Sequence, residues 1–245
     1  MAPAQNHLIE QLHREDRQRL LAVCESVQLV LGEVLCERGD PVHHVYFPVG
    51  GVISLVMQIE NHHSLEVGMV GREGMVGAAL ILGVNRMPVR ALVQATGTAW
   101  RVTGADFRRE LARSPALQQL IQRFMFVRLS QMASAAACLR FHLIGPRLAR
   151  WLLMSQDRAC AAHFHVTHEF LACMLGVRRV GITAAAGGLQ RQGLIAYHRG
   201  ELRVLDRAGL ERAACSCYAE DVATYRQHMS VRTVATAHDD KAAIA

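Results

Sequence analysis

Residues 174–195, MLGVRRVGITAAAGGLQRQGLI, decide how the C-terminal part of this 245-residue chain folds. Gly176 marks a tight turn, Arg178 and Arg179 follow it, and an uncharged Ala/Gly/Thr run with helical spacing comes next. The apolar face of that run is formed by Ile182, Ala186 and Leu189. The positive end of a helix dipole disfavours cations by up to ~1 kcal/mol. Two arginines at the start of this helix therefore indicate a function outside the helix itself.

The flanking segments predict a helix before this one and a β-hairpin after it. Thr167 can cap the preceding helix, VTHEFLACMLG. Its inward-facing residues are predicted to be Phe170, Leu171, Met174 and Leu175. The segment GLIAYHRGELRVLD predicts two strands joined at Arg199 and Gly200. Together these elements are typical of a winged helix-turn-helix, whose second helix enters the DNA major groove N-terminus first. The alternative is a plain helical hairpin with solvated arginines.

Positive charge is concentrated in the same part of the chain. The formal net charge is +6, and residues 140–205 contain nine arginines against three acidic residues, which accounts for all of it. Lys241 is the only lysine. The arginine fork suits phosphate and guanine, although a GC-rich genome produces the same bias. The asymmetry is typical of a module that binds a polyanion.

The N-terminal part has a different pattern. Residues 7–27 predict a short helix, and residues 28–103 contain short β-rich runs separated by glycines, which predict an antiparallel barrel or sandwich. The N-terminus lacks the apolar segment of a signal peptide. We therefore expect a cytoplasmic protein without membrane contact, whose seven cysteines are reduced thiols.

A long helix is predicted between the two parts. Ser114 and Pro115 form a good start signal, with a serine N-cap and proline at the first helical position. The apolar stripe predicted from this helix contains Leu117, Leu120, Ile121, Phe124, Val127 and Met132, with Phe126 and Leu129 partly outside it. One apolar face can cover the β-domain and another can meet a partner helix; the alternative is a helix buried on all sides. Gly145 and Pro146 then indicate a domain boundary.

The chain resembles the Crp/Fnr family of bacterial transcription regulators over residues 15–225. In LGEVLCERGDPVHHVYFPVGGVISL, the residues Gly32, Gly39, Asp40, Tyr46 and Gly51 stand where cyclic-nucleotide-binding-like domains have them. The resemblance implies an α+β fold. Its expected parts are a cyclic-nucleotide-binding-like jelly roll (double-stranded β-helix) at 7–113, a dimerisation helix at 114–139, a winged helix-turn-helix domain at 140–227 and a flexible tail at 228–245.

The resemblance also implies a homodimer on a palindromic site in double-stranded DNA, contact with RNA polymerase, and no enzymatic activity. In the family's recognition helix an Arg-Glu pair and a later Arg read bases. Arg179 matches the first Arg, whereas Val180 and Ala184 stand in the other two places. The operator is therefore expected to differ from that of the cyclic AMP regulator.

Six residues are predicted to contact DNA, and they are Arg178, Arg179, Thr183, Thr167, His168 and Arg199. Arg179 is the expected base reader, and Arg178 is expected at a base or a phosphate. Thr183 is expected at a phosphate or a thymine methyl. His168 and Arg199 are candidates for phosphate contacts, the latter from the wing.

The predicted effector pocket lacks the family's acidic residue. Arg86 and Arg90 are candidates for the arginine that binds the nucleotide phosphate. The family spacing counted back from them reaches Val76 and Leu80, and Glu73 lies too early. Because an unpartnered buried phosphate is costly, we expect no cyclic AMP binding of the usual kind. The alternatives are a nucleotide-responsive regulator with a divergent pocket, or a non-DNA interaction protein that uses the β-roll.

No metal or cofactor is predicted. Cys24 and Cys36 are the only cysteines of the N-terminal part, too few for an iron–sulfur cluster, and no CxxC motif occurs. The histidines near residue 165 are expected to meet solvent or phosphate rather than zinc. Cys215 and Cys217 are interpreted as ordinary thiols, with a redox pair as the alternative.

Overall fold

The computed structural model describes residues 5–59, 64–159 and 163–230. Two short helices come first, α1 (His7–Glu10) and α2 (Arg14–Ala22), where the sequence predicted one. Asn6 caps α1 by accepting hydrogen bonds from the Leu8 and Ile9 amides. Its side-chain amide also donates to two carbonyls of the β-domain, at 2.8 and 2.9 Å. The cap therefore also fastens the N-terminus to the sheets.

Among the described residues, seven strands form the β-roll that the sequence predicts. They are β1 (Glu25–Leu29), β2 (Val34–Cys36), β3 (His44–Pro48), β4 (Val52–Gln58), β5 (Ser64–Val70), β6 (Arg90–Ala95) and β7 (Gly97–Thr103). All pair antiparallel, in one sheet of order β1-β7-β3 and another of order β2-β6-β4-β5. A 3-10 helix (Ala78–Leu82) crosses between β5 and β6. The first core lies between the sheets, where Phe47 meets the edge of Phe107 at a centroid distance of 6.0 Å.

Helix α4 (Pro115–Phe141) follows α3 (Gly104–Arg113) and closes the roll. The predicted start is confirmed, since Ser114 Oγ accepts from the Leu117 amide at 3.1 Å. Five residues of the predicted stripe are buried against the roll: Leu117, Leu120, Ile121, Phe124 and Val127. Met132, also predicted there, is 45% exposed and belongs to the opposite face.

The C-terminal domain contains five helices and three strands among the described residues. They are α5 (Ile144–Ala159), β8 (His163–His165), α6 (His168–Leu175), α7 (Arg179–Arg191), β9 (Ile195–His198), β10 (Glu201–Val204), α8 (Arg207–Ala213) and α9 (Cys217–Met229). Gly145 and Pro146 do not interrupt a helix but lie in the first turn of α5, where proline is tolerated. The break falls at His142 and Leu143 instead. Helix α9 runs past residue 228, and Met229 is buried against the roll.

The C-terminal domain packs on the outer face of the four-stranded sheet. Val52, Val56 and Met69 of the sheet share a core with Trp151 and Leu152 of α5. Within the described residues no single helix is long and apolar enough to cross a membrane. Helices α6 and α7 reach that length and apolarity only as a pair, and they are bent by 108° relative to each other.

Candidate nucleic-acid interface and effector pocket

The turn between α6 and α7 is built on one glycine. Gly176 ends α6 at φ 62°, a left-handed conformation that a Cβ would strain, and the Val177 amide then closes on the Ala172 carbonyl at 2.9 Å. The resulting 108° bend lies in the range of helix-turn-helix motifs. The predicted apolar faces are confirmed, because Leu171 of α6 and Ile182 of α7 are fully buried.

The start of α7 presents two guanidiniums to solvent. Arg178 is the N-cap residue, and its side chain makes no capping bond among the described residues. Arg179 is the first helical residue; its side chain is 71% exposed and lies 4.0 Å from Glu169, an exposed pair that contributes little. Val180 beside them is 72% exposed. Free helix N–H groups and two arginines together form an anion-binding surface.

His168 joins three elements next to that surface. Its Nδ1 lies 3.1 Å from Thr183 Oγ1, and its ring stacks on Tyr197 at 4.6 Å. Burial, and secondarily the charge of Arg179, lower the pKa of His168, which favours a neutral ring. Its Nε2 is buried without a hydrogen-bond partner among the described residues. In this structure His168 therefore positions α7 against the wing, and Thr167 caps α6 through the Phe170 amide at 3.1 Å.

The wing has the predicted turn and an additional strand. Arg199 and Gly200 have φ angles of 51° and 88°, the two positive values of a tight hairpin turn between β9 and β10. Arg199 therefore lies at the exposed tip. The third strand, β8, pairs with β10, and His165 Nδ1 meets Glu201 Oε1 at 2.8 Å. Three residues are too few for the sequence pattern to reveal a strand.

One interpretation of the α7 sequence is wrong. In the sequence, Gly187 and Gly188 each cost the helix about 1 kcal/mol relative to alanine, which predicts that they permit close approach to a neighbouring helix. A Cβ at either position would meet only the side chain of Arg191, at 3.4 and 3.9 Å. The close approach occurs at Gly181, where a Cβ would come within 2.7 Å of Ile144. A Cβ in the first turn of α7 would therefore have to displace the end of the Ile144 side chain.

The three candidate effector residues are not brought together. Arg86 donates to the Gly39 carbonyl at 2.8 Å, and Arg90 pairs with Glu37 at 3.0 Å, so both engage one turn of the roll. Glu73 instead pairs with Arg158 of α5 at 2.8 Å. The predicted residues thus divide between a surface turn and the domain interface.

A cavity that the sequence did not predict lies between β5, α4, α5 and α6. Its volume is about 60 Å³. Among its lining residues are Glu66, Gly68, Arg128, Gln131 and Trp151. The described lining includes none of the three candidate effector residues. Small-molecule pockets commonly exceed about 300 Å³, so this cavity has room for little more than water.

Arg128 ties α4 to β5 at this cavity. Its guanidinium donates to the Met69 carbonyl at 3.1 Å and to Gln131 Oε1 at 3.0 Å. A Cβ at Gly68 would lie within 2.2 Å of Nη2, so only glycine leaves room for the arginine. Burial lowers the pKa of Arg128 to about 10.

Glu66 ties β5 to α5 on the other side of the cavity. It accepts hydrogen bonds from Ser54 Oγ at 2.6 Å and from Trp151 Nε1 at 3.0 Å. Burial raises the pKa of Glu66 to about 7, against the opposing effect of these hydrogen bonds and of two arginines. An isolated glutamate in a strand gave no signal in the sequence, because its partners lie as far as 85 residues away.

Comparisons with known proteins match both parts of the chain. The profile of the cyclic nucleotide-binding domain matches residues 26–114, and that of the Crp-like helix-turn-helix domain matches residues 146–213. The global nitrogen regulator of Synechococcus elongatus is 23% identical over 195 residues, which cover 76% of this chain and 87% of that regulator.

Solved structures share the fold. FixK2 from Bradyrhizobium japonicum superposes with a TM-score of 0.67 at 14% identity, covering 79% of this chain and 98% of that one. The c-di-GMP responsive global regulator CLP of Xanthomonas campestris gives a TM-score of 0.65 at 18% identity, covering 79% and 100%. The roll, the long helix and the helix-turn-helix domain therefore occur together in other regulators.

Proposed function

Because this chain belongs to the Crp/Fnr type of DNA-binding transcription regulators, we propose that it reads a palindromic site as a homodimer, with the first turn of α7 in the major groove. The observation that carries this proposal is the exposed arginine pair, Arg178 and Arg179, at the uncapped start of α7. In the complex, DNA would replace Glu169 as the partner of Arg179. The cytoplasm as location and RNA polymerase as partner are proposed from the family alone.

The exposed face of α4 supports the dimer. Its exposed apolar residues include Phe126, Leu129, Met132, Leu139 and Phe141. A long helix with one apolar face on its own domain and a second in solvent is suited to packing against a copy of itself.

The sensor domain is proposed not to bind cyclic AMP in the usual way. A nucleotide of the usual kind needs an arginine for its phosphate and a carboxylate for its ribose in one pocket, whereas Arg86 and Arg90 are bonded to a surface turn and Glu73 pairs with Arg158 of α5. Calorimetry with cyclic AMP and cyclic GMP should show no binding in the low micromolar range. Saturable binding in that range would overturn this part of the proposal.

Arg179→Ala and Arg199→Ala should have different effects on DNA binding. Loss of a bidentate guanine contact should relax specificity at one base position by about 1–3 kcal/mol. Loss of a phosphate contact at Arg199 should weaken binding to all DNA sequences alike. It should also lower the slope of log affinity against log salt concentration by about one. Binding to sequences selected from a random DNA library, measured at several salt concentrations, tests both expectations.

The matched control is Arg191→Ala, an exposed arginine at the opposite end of α7. It should keep the preferred sequence and most of the affinity. An Arg179→Ala protein with unchanged specificity at every position would contradict the assignment of this residue as a base reader.

A further inference from the structure

Three buried cysteines and a histidine converge where α4 ends. Cys138 lies in the last turn of α4, His142 is the C-cap residue that follows it, Cys215 follows α8, and Cys217 begins α9. Cys138 Sγ lies 3.6 Å from Cys215 Sγ, and Cys217 Sγ lies 3.6 Å from His142 Nδ1. All four atoms lie within 4.8 Å of one another. The three cysteines form a small cluster apart from the two hydrophobic cores.

These distances suit a single tetrahedral ion. Zinc–sulfur bonds of about 2.3 Å place the ligands of a tetrahedral site about 3.8 Å apart. A cluster of several irons would hold its ligand atoms farther apart, because each ligand binds a different iron. Three thiolates and one imidazole are a common ligand set of structural zinc sites. We propose that Cys138, His142, Cys215 and Cys217 bind one Zn²⁺ ion.

Two arginines of α5 lie beside the cluster. Arg147 and Arg150 are close enough to interact electrostatically with Cys138 and Cys215, and Arg150 is held by Asp221 at 2.6 Å. Zn²⁺ with three thiolates and a neutral histidine carries a charge of −1, which these arginines can balance. Packing of three thiols as small apolar groups would not require a histidine nitrogen facing them.

The site joins parts of the chain that no local interaction connects. Cys138 and Cys215 are 77 residues apart, and the break between α4 and α5 lies beside His142. The proposed ion therefore connects the end of α4, the proposed dimerisation helix, to the turn between α8 and α9. Binding would convert the three thiols to thiolates and release up to three protons.

The metal content of the full chain, purified with reductant, tests this proposal. Elemental analysis should give about one zinc per chain, and Cys138→Ser or Cys217→Ser, each of which removes a ligand, should lower zinc affinity by more than the about 10–100-fold typical of losing an outer-shell partner. Co²⁺ bound in its place should show thiolate charge-transfer bands and the strong visible bands of tetrahedral cobalt. Cys24→Ser is the matched control, because burial raises the pKa of that distant thiol to about 12, and it should keep the zinc.

A second measurement uses the unmutated protein, so its result does not depend on whether the variants fold. During partial unfolding in urea, where burial no longer protects them, zinc should slow alkylation of Cys138, Cys215 and Cys217 and a chelator should restore it, while labelling of Cys173 stays the same with and without zinc. Equal labelling of the three cysteines in both states, or zinc content unrelated to them, would overturn the proposal. Because DNA binding is not measured, the outcome is independent of the proposed function.

Discussion

Leu129→Asp on α4 should convert the protein to a monomer and weaken binding to a palindromic site by about 10²–10⁴-fold. Leu129 is 67% exposed, so the change removes little packing from the single chain. In the proposed dimer, however, the introduced carboxylate would be buried next to the same carboxylate of the partner subunit, and unpaired buried charges are costly. Sedimentation equilibrium measures the first effect, and fluorescence anisotropy on the palindromic site measures the second.

The control for this experiment is Leu82→Asp. Leu82 is 62% exposed and lies on the 3-10 helix of the roll, so it receives the same change outside α4. This variant should remain dimeric with unchanged affinity. The Leu129→Asp monomer should still bind a single half-site about as well as one subunit of the unmutated protein. A Leu129→Asp protein that stays dimeric would show that α4 does not form the interface.

The parts of the fold that the sequence predicted depend on local signals. Ser114 and Pro115 begin a helix because the serine hydroxyl accepts a hydrogen bond from a first-turn amide and the proline has no amide hydrogen that needs a partner. Gly176 ends a helix because its backbone adopts a left-handed φ. Arg199 and Gly200 set the hairpin in the same way. The α7 prediction worked because helical spacing and burial agree over thirteen residues.

The parts that were missed depend on contacts between distant residues. Glu66 has ordinary neighbours in the sequence, and only the packing of α5 on the sheet buries it. Cys215 and Cys217 are two residues apart and Cys138 and His142 are four residues apart, and nothing local in the sequence indicates that the two pairs meet.

Glu66→Gln should stabilise the protein at alkaline pH by about 3 kcal/mol and have little effect in acid. Burial raises the pKa of Glu66 from 4.5 to about 7 in the folded chain. Between pH 4.5 and about pH 7 the folded state binds more protons than the unfolded state, so the free energy of unfolding falls as the pH rises. Above about pH 7 the full loss of stability is reached. Glutamine cannot ionise, and the variant therefore avoids this loss.

The glutamine variant keeps the hydrogen bonds of the protonated glutamate. Its carbonyl can accept from Trp151, and its amide can donate to Ser54 Oγ, as a protonated Glu66 does; the single hydroxyl hydrogen of Ser54 then goes to Gln94 Oε1, 2.7 Å away, and not to residue 66. Urea unfolding at about pH 5 and about pH 8 measures the difference, with the exposed Glu169→Gln as control. An equal effect of Glu66→Gln at both pH values would show that Glu66 is ionised throughout. If the expected difference is found, the contact between the sheet and α5 weakens as Glu66 ionises, so the packing of the DNA-binding domain on the roll depends on pH near neutrality.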